Sequence, residues 1–133
     1  MADTVTSQTI QDGEKTAILK FTNESDGTGE ASVKKVDVSA LASNSAGSAC
    51  TSVSISRIYW ACRGMGVDIE FDASTNVLAI PLPADSTGDE YYDLFTGIPN
   101  NAGSGVTGDI DFTTVGHSNG DAYSIILVLT KNY

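Results

Sequence analysis

Residues 67–82 read VDIEFDASTNVLAIPL, and this stretch decides the fold. Val67, Ile69 and Phe71 alternate with Asp68, Glu70 and Asp72. That is the period-two pattern of a strand with one face buried and the other wet. Ser74-Thr75-Asn76 supplies turn residues. A second run, residues 77–82, follows until Pro81 and Pro83 limit its pairing. Two short runs joined by a polar turn predict a β-hairpin.

The same pattern extends in both directions. Residues 53–63, VSISRIYWACR, form a strand whose apolar face changes phase near Arg57, which predicts a bulge or two-sided burial. Residues 4–11 and 14–23 flank Asp12-Gly13, a pair suited to a type I′ turn. Residues 33–38 place Val36 and Val38 on one face. Residues 108–115 place Ile110 and Phe112 inward, with Asp109 and Asp111 outward. Residues 122–131 are apolar on both faces and so predict a central or covered strand. Residues 41–48 and 84–101 read as polar connections, and no run sustains helical periodicity over three turns. The expectation is all-β: residues 1–133 as a single-domain antiparallel β-sandwich, or a jelly-roll-like fold, with about eight strands. The predicted core is Leu19, Phe21, Ile55, Ile69, Phe71, Ile110, Phe112, Ile125 and Leu127.

Seven basic residues against seventeen acidic ones give a net charge of −10 over 133 residues. Such a surface repels phosphate backbones and anionic membranes, so neither nucleic acid nor membrane is an expected partner. Residues 1–10 lack a basic start and an apolar run, and the longest apolar stretch, residues 125–129, is far short of a membrane span. Synthesis in a cytoplasm is expected. Cys50 and Cys62 are read as buried thiols.

Several motifs could carry chemistry, and each has a plainer reading. Residues 103–108, GSGVTG, match a dinucleotide-loop spacing, but a strand follows where a helix is needed. Asp68, Glu70 and Asp72 have the spacing of calcium ligands and also of an exposed strand face; Asp109 and Asp111 read the same way. A loop at residues 85–93 is the better calcium candidate. His117, the only histidine, lies among turn residues, and no nucleophile elbow is present. Asn23-Glu24-Ser25 matches a glycosylation sequon. No catalytic residue, metal or cofactor is assigned, and an enzyme is not expected.

Two segments suit contacts between subunits. The first strand has few large apolar side chains and is expected at a sheet edge, where Thr4, Val5, Thr6 and Ile10 offer a strand for pairing. Tyr91, Tyr92, Leu94 and Phe95 offer aromatic and aliphatic anchors.

The opening, MADTVTSQTIQDGEKTAILKFTNESDGTGEASVKKVDVSAL, and the ending, NNAGSGVTGDIDFTTVGHSNGDAYSIILVLTKNY, resemble small virion-associated structural proteins of tailed phages, especially marine and cyanobacterial ones. These stretches, residues 1–41 and 100–133, cover more than half the chain. The resemblance implies a β-rich viral structural protein located in the virion. It would be a capsid decoration (cement) protein on the outer capsid lattice, or a tail, neck or fibre-base subunit. Its expected partners are other virion proteins, the major capsid protein first, and further copies of itself in a homo-oligomer. A carbohydrate-binding adhesin module, with Trp60, Tyr91 and Tyr92 stacking on sugars, is the less favoured reading.

Overall fold

A computed structural model describes residues 3–92 and 97–133. Nine strands are present among them: β1 (Thr4–Asp12), β2 (Thr16–Glu24), β3 (Val33–Val36), β4 (Ser52–Arg63), β5 (Gly66–Phe71), β6 (Val77–Leu82), β7 (Thr87–Tyr91), β8 (Ile110–Val115) and β9 (Ala122–Asn132). One 3-10 turn, Val38–Ala40, follows β3, capped by the Asp37 carboxylate accepting from Ser39 N–H. The strands form two antiparallel sheets, ordered β1-β2-β9-β4-β7 and β3-β8-β5-β6. The fold is therefore the all-β sandwich expected from the alternation.

With β1 set aside, the sheets read β2-β9-β4-β7 and β3-β8-β5-β6. Apart from the β5–β6 hairpin, every connection after β2 crosses from one sheet to the other, which is the jelly-roll order of two interleaved Greek keys. β1 is an addition to that unit, hung on the outside of β2.

The core lies between the sheets. Ala17, Leu19 and Phe21 of β2, Val53, Ile55 and Ile58 of β4, and Ile125, Leu127 and Leu129 of β9 face Val36, Val67, Ile69, Phe71, Ile110 and Phe112. All nine core residues predicted from the sequence are buried. Phe112 is central: its ring meets Phe21 edge-on at 5.3 Å and Tyr123 at 5.9 Å. Each such side chain contributes about 1.5–3 kcal/mol through burial alone.

The phase change in β4 is a bulge. Ile55 pairs with Leu129 and Arg57 with Val128, so Ser56 is the extra residue and Ile55 and Ile58 share the inner face. β9 is central, between β2 and β4, and its outer side chains Ile126 and Val128 are half-buried.

Three expectations are corrected. The Asp12-Gly13 turn is not a two-residue type I′ turn. Asp12 pairs with Ala17, the Gly13 N–H donates to Thr16 O at 2.9 Å, and Gly13 is not among the glycines with positive φ. Residues 87–91, read as connection, form edge strand β7; TGDEY has no apolar alternation to announce it. Asp109, just before β8, and Asp111, on it, were expected to face solvent yet are buried, Asp109 paired with Lys34 and Asp111 accepting from Asn76.

Candidate functional site

Two open sheets leave four edges, and three are blunted. β3 has four residues and carries Lys34 and Lys35. β6 carries Pro81 and meets β5 through a bulge between Ile69 and Glu70. β7 has five residues and carries Asp89 and Glu90. Shortness, proline, charge and bulges are how sheets avoid adding a foreign strand. β1 differs. It has nine residues, is exposed from Thr4 to Gln11, and has no charge or proline before Asp12. Its bulge, at Ile10, bends only the far end.

Both ends of β1 are anchored while its middle faces solvent. Just before it, the Asp3 carboxylate accepts from Asn23 Nδ2 (3.1 Å), Ser25 Oγ (3.3 Å) and the N–H groups of Asp26 (3.2 Å) and Gly29 (3.1 Å). Burial pulls its pKa up, but these donors, Asn23 first, hold it below the usual range. At the far end, Asp12 Oδ1 accepts from Lys131 Nζ at 2.5 Å and Oδ2 from Ala42 N–H at 2.8 Å. The Lys131 ammonium also donates to Gly13 O (2.7 Å) and Ala42 O (2.9 Å), and its side chain is 0% exposed. Burial disfavours the ammonium, but the Asp12 hydrogen bond and charge outweigh it and raise its pKa. Between the anchors, the hydroxyls of Thr6 and Thr22 bond across the strands. Small residues Ser7 and Thr9 stand opposite Phe21 and Leu19 and leave a recess of about 160 Å³ that Val36 and Leu41 also line.

The second predicted contact segment lies elsewhere. Tyr91 is on β7, the opposite edge of the same sheet, so the structure does not bring it to Thr4, Val5, Thr6 and Ile10. Tyr91 is 54% exposed, with the Arg57 guanidinium 4.5 Å from its ring centre and 4.6 Å from that of Tyr59. Asp89 takes Arg57 in a two-pronged pair at 3.0 and 2.8 Å, which raises the Arg57 pKa and lowers that of Asp89. Tyr92 turns the other way and packs against the core, its N–H donating to Ser56 O at 2.8 Å. Leu94 and Phe95 lie outside the described residues. Trp60 also packs against the core and donates through Nε1 to Ser86 Oγ at 3.0 Å. Trp60, Tyr91 and Tyr92 therefore do not form one sugar-stacking platform.

The chemical motifs resolve into structural roles. Residues 87–91 are strand, Asp85 Oδ1 accepts from the Gly64 N–H at 2.8 Å, and Asp89 is held by Arg57, so the acids of residues 85–92 do not converge on one point; Asp93 lies outside the described residues. The loop at residues 103–108 leads into β8, with no helix after it. His117 lies between β8 and β9, with Nδ1 3.1 Å from Thr114 Oγ1 and its ring against Gly29. Asn23 of the sequon is buried and donates to both Asp3 and Glu30. Cys50 and Cys62 are free and buried, and desolvation pushes both thiols up, away from the reactive thiolate.

One polar cluster has no signal in the sequence. Glu30 pairs with Lys35 and accepts from Tyr123 Oη (2.6 Å) and Asn23 Nδ2 (2.9 Å). Burial, then the Glu30 contact, pushes the Tyr123 pKa far up, so the phenol stays a donor. The cluster ties the segment before β3 to β2 and β9 at one end of the sandwich. Its members are scattered at residues 23, 30, 35 and 123, and no spacing rule joins them.

No protein-family model matches the chain, and no curated protein matches it in sequence.

Proposed function

We propose that the protein is a structural subunit of a phage particle, a decoration protein seated on the outer capsid lattice, and that β1 is the strand through which it engages its neighbours. The observation that carries the reading is the unblunted β1 edge, in a domain whose other three edges are blunted. An edge strand offers N–H and C=O groups to a partner strand, and alternate side chains then supply specificity. Val5 and Ile10, 46% and 51% exposed, are the apolar side chains β1 presents. Resemblance at both ends of the chain to small virion structural proteins supports the phage assignment. The jelly-roll order, an architecture that viral capsid and lectin domains also use, is compatible with it, but fold alone carries no function. A net charge of −10 suits a position outside the shell, away from packaged nucleic acid.

The test adds purified protein to particles that lack it and counts bound copies. The double variant Val5→Lys, Ile10→Lys changes two exposed side chains, so the domain stays folded while the edge gains the charges that oppose strand addition. Occupancy near zero for the folded variant is expected. Wild-type occupancy by the variant would sink the edge assignment. Failure of the wild-type protein to bind particles would sink the phage reading. Occupancy at the copy number of the capsid subunit, as against that of the tail, separates decoration from a tail or neck position.

A further inference from the structure

We infer that Lys35 and Asn23 become joined by an isopeptide bond that forms within the folded chain, with Glu30 carrying the protons. The three side chains meet at one end of the sandwich. One Glu30 oxygen, Oε2, pairs with the Lys35 ammonium, and the other, Oε1, accepts from Asn23 Nδ2 at 2.9 Å. A single carboxylate thus holds an amine and a carboxamide side by side. All three groups are shielded from water: Asn23 is 2% exposed, Glu30 8%, and the Lys35 side chain 9%.

Several contacts fix the reacting groups. Asn23 is on the inner face of β2, opposite Tyr123 of β9. Lys35 is at the bulge where β3 slips against β8, and it lines the same recess as Phe21 and Val36. Glu30 is held before β3: its N–H donates to Thr114 Oγ1 (2.8 Å), its carbonyl accepts from Thr114 N–H (2.9 Å), and its Oε1 accepts from Tyr123 Oη (2.6 Å). Asp3 Oδ2 also accepts from Asn23 Nδ2, at 3.1 Å, and so orients the amide. Asn23 Oδ1 is buried with no donor among the described residues, so the oxygen on which charge builds during attack is not tied up. Lys131, the more deeply buried amine, lacks such a relay: beyond Asp12 it meets only the carbonyls of Gly13 and Ala42, which carry no proton away.

In the reaction, Glu30 takes a proton from the Lys35 ammonium, and the freed lone pair on Nζ attacks Asn23 Cγ. A carbon–Nζ bond forms. The carbon–Nδ2 bond breaks as Glu30 passes its proton to Nδ2, which leaves as ammonia. The second proton shed by Nζ passes through Glu30 to the departing ammonia and leaves as ammonium. Nothing is oxidised or reduced, and no co-reactant is needed. Holding both reactants on one carboxylate replaces a bimolecular encounter. Exclusion of water protects the intermediate from hydrolysis. The product staples β2 of one sheet to β3 of the other.

The test is mass spectrometry of the full chain, intact and after trypsin. The bond costs the chain one ammonia. Cleavage after Lys34 puts Asn23 and Lys35 on separate peptides, which stay together only through the bond. A wild-type mass one ammonia short and a joined peptide pair are expected. Lys35→Arg should show the full mass of its sequence, because a guanidinium stays charged and does not attack. Glu30→Gln should slow bond formation, followed after synthesis, by about a hundredfold or more. If Glu30→Gln misfolds, the wild-type peptide map and Lys35→Arg decide. Full mass in the folded wild-type chain overturns the bond. So does an ammonia lost at Asn119-Gly120 by succinimide formation, with Asn23 and Lys35 on free peptides. Bond formation at the wild-type rate in Glu30→Gln overturns the role of Glu30.

Discussion

Lys131 is a place where one buried ammonium carries a measurable share of the stability. Replacing it with methionine keeps the apolar stem but removes the ammonium, leaving Asp12 Oδ1 and the carbonyls of Gly13 and Ala42 without that donor. Breaking a buried pair from one side costs about 3–5 kcal/mol. Here the Asp12 side chain is 22% exposed and keeps the Ala42 N–H, so water makes up part of the loss. The expected cost is therefore about 2–3 kcal/mol. Unfolding entropy of about 2.1 cal/mol/K per residue over 133 residues is about 0.28 kcal/mol/K, so Tm should fall by about 7–11 °C. Melting curves followed by circular dichroism measure this directly. The pH dependence has a definite sign. The folded pKa of Lys131 is raised above its ordinary 10.5, so its contribution is full below that value and is lost as pH rises through the folded value. The wild-type protein should lose stability in that alkaline window more steeply than Lys131→Met. A Tm within about 2 °C of wild type, or an identical alkaline limb, would refute the claim that this ammonium clamps the first hairpin.

Other expectations follow from packing. Phe112→Ala removes a fully buried ring that meets two aromatic neighbours and should cost about 3–5 kcal/mol in urea unfolding; an unchanged midpoint would place Phe112 outside the core. Gly108 has φ +88°, and a Cβ there would lie 2.0 Å from Thr51 O, so Gly108→Ala should destabilise by about 2 kcal/mol or more; a neutral result would mean that the loop and the start of β4 do not approach this closely. Cys50 and Cys62 should react slowly with a thiol reagent in the native protein and rapidly in denaturant; fast native labelling of either would contradict its burial.

The architecture was legible where side chains alternate. Val67, Ile69 and Phe71 announce β5, and the phase slip around Arg57 announces the Ser56 bulge, because burial on one face imposes period two and a bulge breaks it. β7 was not legible: its partner is a single neighbouring strand, and its residues, largely exposed, need no apolar pattern. The exposure of β1 could be read from its lack of large side chains. Its difference from the other edges could not, since that depends on which strands end up outermost. The burial of Asp109 and Asp111 depends on Lys34 and Asn76, which lie far from them in sequence, and alternation within one strand marks both acids only as outward-facing. The Asp-Gly pair misled because the Asp12 carboxylate is drawn to Lys131 and Ala42, contacts made by the tertiary fold.

The place of β9 has a consequence for synthesis. The strand that emerges last from the ribosome among the nine is the one that lies between β2 and β4. Until residues 122–132 are out, the large sheet exists only as two fragments, β1 with β2 and β4 with β7, and their inner apolar faces have nothing between them. Folding during translation is therefore held back to the end of this segment, and a nascent chain stopped within β9 is the species most exposed to aggregation and to proteases.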